Sequence, residues 1–157
     1  MNATSRRTFL AGAAAAWPAA TGWGQERAAA APDGGRRVVP GSPYPTFSRA
    51  TIFNGTVYVS GVLGQTPGTR DLVSEDFEPQ CRQAMENLKA SVEAAGSSMS
   101  HVLKCQCFLT DSGDFATFNK VYVTYFPSDP PARSTVIVKE LVARGARIEI
   151  DCFAALP

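Results

Sequence analysis

The side chains best suited to chemistry lie on two short segments near the C-terminus that alternate as strands do. In Arg133 to Val138, Arg133 and Thr135 project from one face, and Val136 and Val138 from the other. In Arg147 to Phe153, Ile148, Ile150 and Cys152 share one face, whereas Glu149 and Asp151 share the opposite one. If these strands pair as neighbours, Arg133 approaches a carboxylate. The simpler reading of that pair is a solvated cross-strand salt bridge worth about 0–1 kcal/mol. The other is the cation and the acid of a binding site.

Metal and nucleophile chemistry find little material. Cys81, Cys105, Cys107 and Cys152 all fall in apolar strand or helix positions, which predicts buried free thiols. Cys105 and Cys107 share a strand face, but a soft metal needs further ligands converging from elsewhere. His101 is the one histidine, and it sits behind "SSMS" at a strand start where a solvated side chain is expected. A histidine-rich metal site is excluded, and no metal is assigned.

The elements that must position these residues are legible from periodicity. Residues Arg36 to Pro45 are rich in Pro and Gly and predict an extended arm. Ser48–Phe53 and Thr56–Ser60 alternate around Asn54-Gly55, a strong hairpin signal. Gly61, Gly64, Pro67 and Gly68 then predict a loop. Phe77, Cys81, Ala84, Met85, Leu88, Val92 and Ala95 recur at helical spacing, with Ser74 or Asp76 as the cap and Gly96 as the stop. His101–Leu109 is a third strand. "TDSGD" turns the chain and offers Asp114 as the cap of a second helix. That helix carries Phe115, Phe118, Tyr122, Tyr125 and Phe126 along one side, a stripe better explained by packing on a sheet than by a ligand box. The order is β-β-α-β-α-β-β, an α+β sheet with helices on one face. Its uncovered apolar face predicts self-association.

At the other end, Arg6 and Arg7 precede an apolar stretch running through Ala20, too short and weakly apolar to anchor in a bilayer. "SRRTFL" resembles a twin-arginine export signal, with small residues from Ala28 to Ala31 as a cleavage region. The expected organisation is a signal peptide over 1–31, an arm over 32–45 and one domain over 46–157, with a periplasmic or secreted product and no membrane anchor after cleavage. Arg6, Arg7, Arg27 and Glu26 fall within 1–31, which takes the 15 basic and 14 acidic residues of the chain to 12 and 13. Those basic residues are scattered, so no nucleic-acid partner is expected.

"FSRA" after a Pro-rich arm, "TVYVSG", "QCRQAMENLKASVEAAGSS", "DFATFNKVYVTYF", "PARSTV" and "RIEID" occur in an order and spacing that resemble the RidA/YjgF family of enamine/imine deaminases. The likeness runs from about Gly41 to Ala154. It implies a chorismate-mutase-like α+β fold assembled as a homotrimer around a central barrel, with one ligand cleft at each subunit interface. By the same resemblance, Arg133 matches the arginine that grips a substrate carboxylate, and Glu149 the carboxylate that positions or activates water. Asn119 matches a cleft asparagine, and Ser60 and Gly61 match the "SG" pair lining the pocket. Phe47 stands where many relatives carry tyrosine, and Thr135 where many carry cysteine. Phe47 keeps an apolar wall but loses a hydrogen-bond donor. The implied activity is hydrolysis of 2-imino acids to 2-keto acids and ammonia without a cofactor. The alternative is a trimeric module that binds ligands or unfolded chains without catalysis.

Overall fold

The computed structural model describes residues 35–157. The export signal expected over 1–31 lies outside the described residues, as does the start of the arm. The remainder of the arm holds one element more than expected. A short strand β1 (Arg37–Val39) pairs antiparallel with β2 (Ala50–Phe53), setting Arg37 opposite Ile52 and Val39 opposite Ala50. Two consecutive valines supply the β-branched backbone preference that the surrounding Pro and Gly obscure. β2 turns into β3 (Thr56–Leu63) through Asn54 and Gly55, both at positive φ (48° and 74°), as a type I′ turn requires.

α1 (Phe77–Ala94) follows, then β4 (Val102–Leu109), α2 (Phe115–Tyr125), β5 (Ala132–Ile137) and β6 (Ile148–Ala155). Strand order across the six-stranded sheet is β1-β2-β3-β6-β4-β5. β6 runs antiparallel to both β3 and β4, whereas β5 runs parallel to β4 after the α2 crossover. Arg133 and Glu149 are therefore not on neighbouring strands, because β4 lies between them. Pairing over long sequence separations is set by the whole sheet, and strand-by-strand alternation does not contain it.

Both helices cover one face. Val57, Val59, Cys105, Cys107, Leu109, Ile148, Ile150 and Cys152 meet Cys81, Met85, Leu88 and Val92 of α1 and Phe118 and Val121 of α2, all buried. The four thiols are free and buried, as expected. Desolvation pushes Cys105 up to about 11 and Cys81 and Cys107 up to about 12, so they stay protonated and packed rather than nucleophilic. His101 is exposed, its Nδ1 3.2 Å from Ser98 Oγ, at the end of a short 3-10 turn (Met99–His101) that precedes β4.

Two devices set the position of β6, and with it Glu149. Gln80, fully buried on α1, donates from Nε2 to the carbonyls of Ser74 and Gly145 (2.9 and 3.0 Å) and accepts from the Arg147 amide (2.9 Å). Asp114 makes no capping bond to α2. It receives Arg147 Nη2 through both carboxylate oxygens (2.9 and 2.8 Å), tying the α2 entrance to the start of β6. Close approach of α1 to the end of β3 depends on Gly64, where a Cβ would stand 2.6 Å from Gln80 Cα.

Candidate active site

β3 does not stop at Ser60 as expected. It continues to Leu63, and its register against β6 shifts between Val59 (opposite Cys152) and Val62 (opposite Ile150). Ser60 and Gly61 are the two residues inside that shift, a bulge, and both line the cleft. Ser60 is held twice: its amide donates to the Arg49 carbonyl (3.1 Å) and its hydroxyl to the Ser48 carbonyl (2.7 Å). Gly61 is bare for a specific reason. A Cβ there would run into Glu149, 2.9 Å from its Cδ and 3.2 Å from its Cγ. The carboxylate occupies the space that the missing side chain leaves open.

These residues line a cleft of about 1050 Å³ bounded by the arm, the bulge and α1. Phe47 forms part of its wall, 46% exposed and stacked on Tyr44 at 5.2 Å between ring centroids. Tyr44, which the sequence reading did not single out, brings a phenol to the same wall. Its oxygen accepts from Gln65 Nε2 (2.8 Å), and the same nitrogen donates to the Arg70 carbonyl (2.9 Å). Asn87 of α1 donates to the carbonyls of Leu63 and Gln65 (2.8 Å each), which fixes the cleft floor to the helix.

The electrostatics of Glu149 follow from this enclosure. Burial first, and the Asp151 charge second, raise its carboxyl above the ordinary carboxylate value. A carboxyl whose pKa is higher folded than unfolded stabilises the fold fully below the unfolded value, and that contribution is lost as pH rises through the folded value. Glu149→Gln is therefore expected to melt at a higher temperature than the parent at pH 7. The gap should close below about pH 4, where both side chains are neutral. Calorimetry across that range checks it, and a gap independent of pH would count against a strained carboxylate.

Arg133, Thr135 and Asn119 form a second group. Arg133 lies opposite Cys105 across β4, on the helix-covered face. Its guanidinium rests on α2, with Cζ 4.7 Å from the Tyr122 centroid, 5.0 Å from Phe118 and 5.8 Å from Phe115. Nη2 donates to Asn119 Oδ1 at 2.9 Å. Phe118, Tyr122 and Phe126 of the aromatic stripe thus pack the core, as expected, whereas Phe115 is exposed; the stripe also carries Arg133. Its signal was in the sequence: Asn119 sits between Phe118 and Tyr122 on a helix whose rings recur at three- and four-residue spacing. Thr135 Oγ1 is buried without a partner among the described residues.

The two groups do not meet within one chain. Glu149 aligns with Phe108 on the sheet face away from the helices, and Arg133 aligns with Cys105 on the face beneath them. Two strand spacings and three residues of rise separate their Cα atoms by about 14 Å. Arg133 has no carboxylate partner among the described residues, so the cross-strand salt bridge does not form. What one chain presents is an acid with a preshaped cleft on one side and a held guanidinium on the other. Among the described residues, no three His, Cys, Asp or Glu side chains converge as a metal site, and no helix is long and apolar enough to cross a membrane.

Comparison with known proteins gives the family of the chain. Residues 40–156 match the family described as Endoribonuclease L-PSP. The chain is 37% identical over 123 residues to a 2-iminobutanoate/2-iminopropanoate deaminase from Rattus norvegicus, covering 76% of this chain and 89% of the relative. The crystal structure of RidA from Psychrobacter sp. superposes with a TM-score of 0.69 at 39% identity, over 75% of this chain and 94% of that one. That of E. coli TdcF with bound serine does so with a TM-score of 0.68 at 33% identity, over 76% and 94%.

Proposed function

From the membership of this chain in the RidA/YjgF family, we propose that it hydrolyses 2-imino acids to 2-keto acids and ammonia. One observation carries the reading. Arg133 is oriented by Asn119 and by three aromatic rings, yet no carboxylate of the described chain pairs with it. An arginine held in this way is suited to grip a ligand carboxylate through two parallel hydrogen bonds. Relatives are named as imine deaminases, and TdcF binds serine, which carries such a group.

In the proposed reaction Arg133 holds the carboxylate of the imino acid. Glu149 accepts a proton from water as the water oxygen bonds to the imine carbon, and the nitrogen takes up a proton. The resulting carbinolamine expels ammonia as its C–N bond breaks and the carbonyl forms. No electron changes hands and no cofactor is called for. The gain is positioning and electrostatics on an electrophile that is already reactive. A carboxyl raised above its ordinary value is a better base than an exposed one, provided the pH keeps it ionised. Phe47 and Tyr44 supply an apolar wall with one phenol at its edge.

Because Arg133 and Glu149 point to opposite sides of one sheet, the site requires a second copy to bring them together, and we propose the homotrimer as the assembly that does so. The open sheet face offers what such an assembly would cover, with Tyr58 at 42% and Val136 at 47% exposure. Native mass spectrometry is expected to give threefold the chain mass. A stable monomer that nonetheless hydrolyses imines would overturn the shared site. The activity itself is tested by generating 2-imino acids in situ with an amino acid oxidase and following keto acid formation. A rate no faster than without the protein would favour the ligand-binding alternative.

A further inference from the structure

Arg49 is the cation of the cleft that the proposed reaction leaves without a task. It is half-buried immediately before β2 and lines the cleft with Tyr44, Phe47, Ser60 and Glu149. Its carbonyl accepts the Ser60 amide at 3.1 Å, which fixes its backbone beside the bulge that carries Gly61. Its guanidinium lies along Gly41, with Nη1, Cζ and Nε 3.6–3.9 Å from where a Cβ would stand. Gly41 has a φ of +98°, a backbone state in which a larger side chain would be strained, so that seat stays open.

No partner for this charge exists among the described residues. The ion pairs there involve Arg82, Lys89 and Arg147, and no acceptor receives an Arg49 N–H. Two carboxylates share the cleft, and neither pairs with Arg49. Glu86 accepts the Tyr125 hydroxyl at 2.6 Å, and Glu149 fills the space over Gly61. A guanidinium presents five donors in a planar fork, and partial burial without an acceptor costs solvation that a bound carboxylate would restore. The substrate's own carboxylate already has Arg133. At about 1050 Å³ the cleft has room for a longer ligand than an alkyl imine.

The geometry points to Arg49 as the receptor for a second carboxylate, so that the substrates this cleft favours are imines of acidic amino acids, 2-imino dicarboxylates. The inference rests on the deaminase reading for its chemistry, which is the same hydrolysis, but its binding component stands apart. The test compares 2-iminoglutarate with 2-iminobutanoate, each generated in situ. The parent should show the higher kcat/KM on the dicarboxylate. Arg49→Gln should lower the ratio of the two values by about tenfold to a hundredfold, mainly through KM, as expected for one charge-assisted contact. Arg49→Lys should fall between, since it keeps the charge and loses the fork. An unchanged ratio overturns the proposal. So does an equal loss on both substrates, which would make Arg49 the receptor for the common carboxylate. Calorimetry with 2-oxoglutarate and 2-oxobutanoate decides the matter without turnover. A parent preference for 2-oxoglutarate that Arg49→Gln removes supports the receptor even if neither imine is hydrolysed, whereas equal binding of both acids overturns it.

Discussion

Arg133→Ala is expected to abolish imine hydrolysis while leaving the chain folded and assembled. Losing one member of a buried, hydrogen-bonded charge contact costs about 2–5 kcal/mol, roughly thirtyfold to several thousandfold in transition-state binding. The structural cost is smaller. Arg133 makes one hydrogen bond, to Asn119, and lies against rings that remain packed among themselves, with Phe118 and Tyr122 centroids 5.4 Å apart. A partly exposed cation–π contact contributes about 0.5–1 kcal/mol, so the variant should lose only a few degrees of melting temperature. Arg133→Lys should also be poor, because an ammonium cannot reproduce the bidentate fork. Asn119→Ala separates orientation from charge: with the guanidinium present but unheld, it should give a partial loss. Hydrolysis by Arg133→Ala at the parental rate would reduce the residue to a surface cation resting on aromatic rings.

How far this site could be read without coordinates depends on the range of the interactions that build it. Hairpin, helices and strand positions follow from local signals: Asn54-Gly55 takes the positive φ values its type predicts, and the apolar spacing from Phe77 to Val92 is the buried face of α1. Burial of the four cysteines followed from the same periodicity. Strand order did not follow. Alternation on β5 and β6 correctly gives the two faces of each strand, but whether they are neighbours is decided by β4 inserting between them, a pairing between segments far apart in sequence. The consequence is large, since it puts Arg133 and Glu149 on opposite faces of the sheet instead of side by side. The bulge was hidden for another reason. Gly61 reads as a strand breaker in isolation, and only the register of β6 shows that Ser60 and Gly61 are accommodated by shifting the ladder. Tyr44 and Gln65 lie in Pro- and Gly-rich connections without periodicity, so their hydrogen bond had no sequence signal.

The second large effect is expected at Gly61, where a single methyl group should remove the acid from the reaction without touching it chemically. In Gly61→Ala the new Cβ falls on the Glu149 side chain, 2.9 Å from Cδ and 3.2 Å from Cγ, closer than carbon atoms pack. Two responses are available. β3 and β6 can separate at the bulge, which breaks a backbone ladder and strains a packed core, at a cost of about 1–3 kcal/mol. Alternatively, Glu149 can rotate away, which costs less because its far end is flexible and its charged form gains solvent. The second response should win. A Glu149 released to water loses the enclosure that raised its pKa and no longer faces the reacting water, so its acidic limb should disappear from the pH–rate profile while the maximal rate falls. The loss should match that of Glu149→Gln within a few-fold, and the double variant should be no worse than either single one, because both remove the same positioned group. Additive losses would mean that Gly61 matters through the substrate's approach to the backbone rather than through Glu149. A Gly61→Ala protein with full activity and an unshifted acidic limb would show that the carboxylate over Gly61 is not the group that activates water.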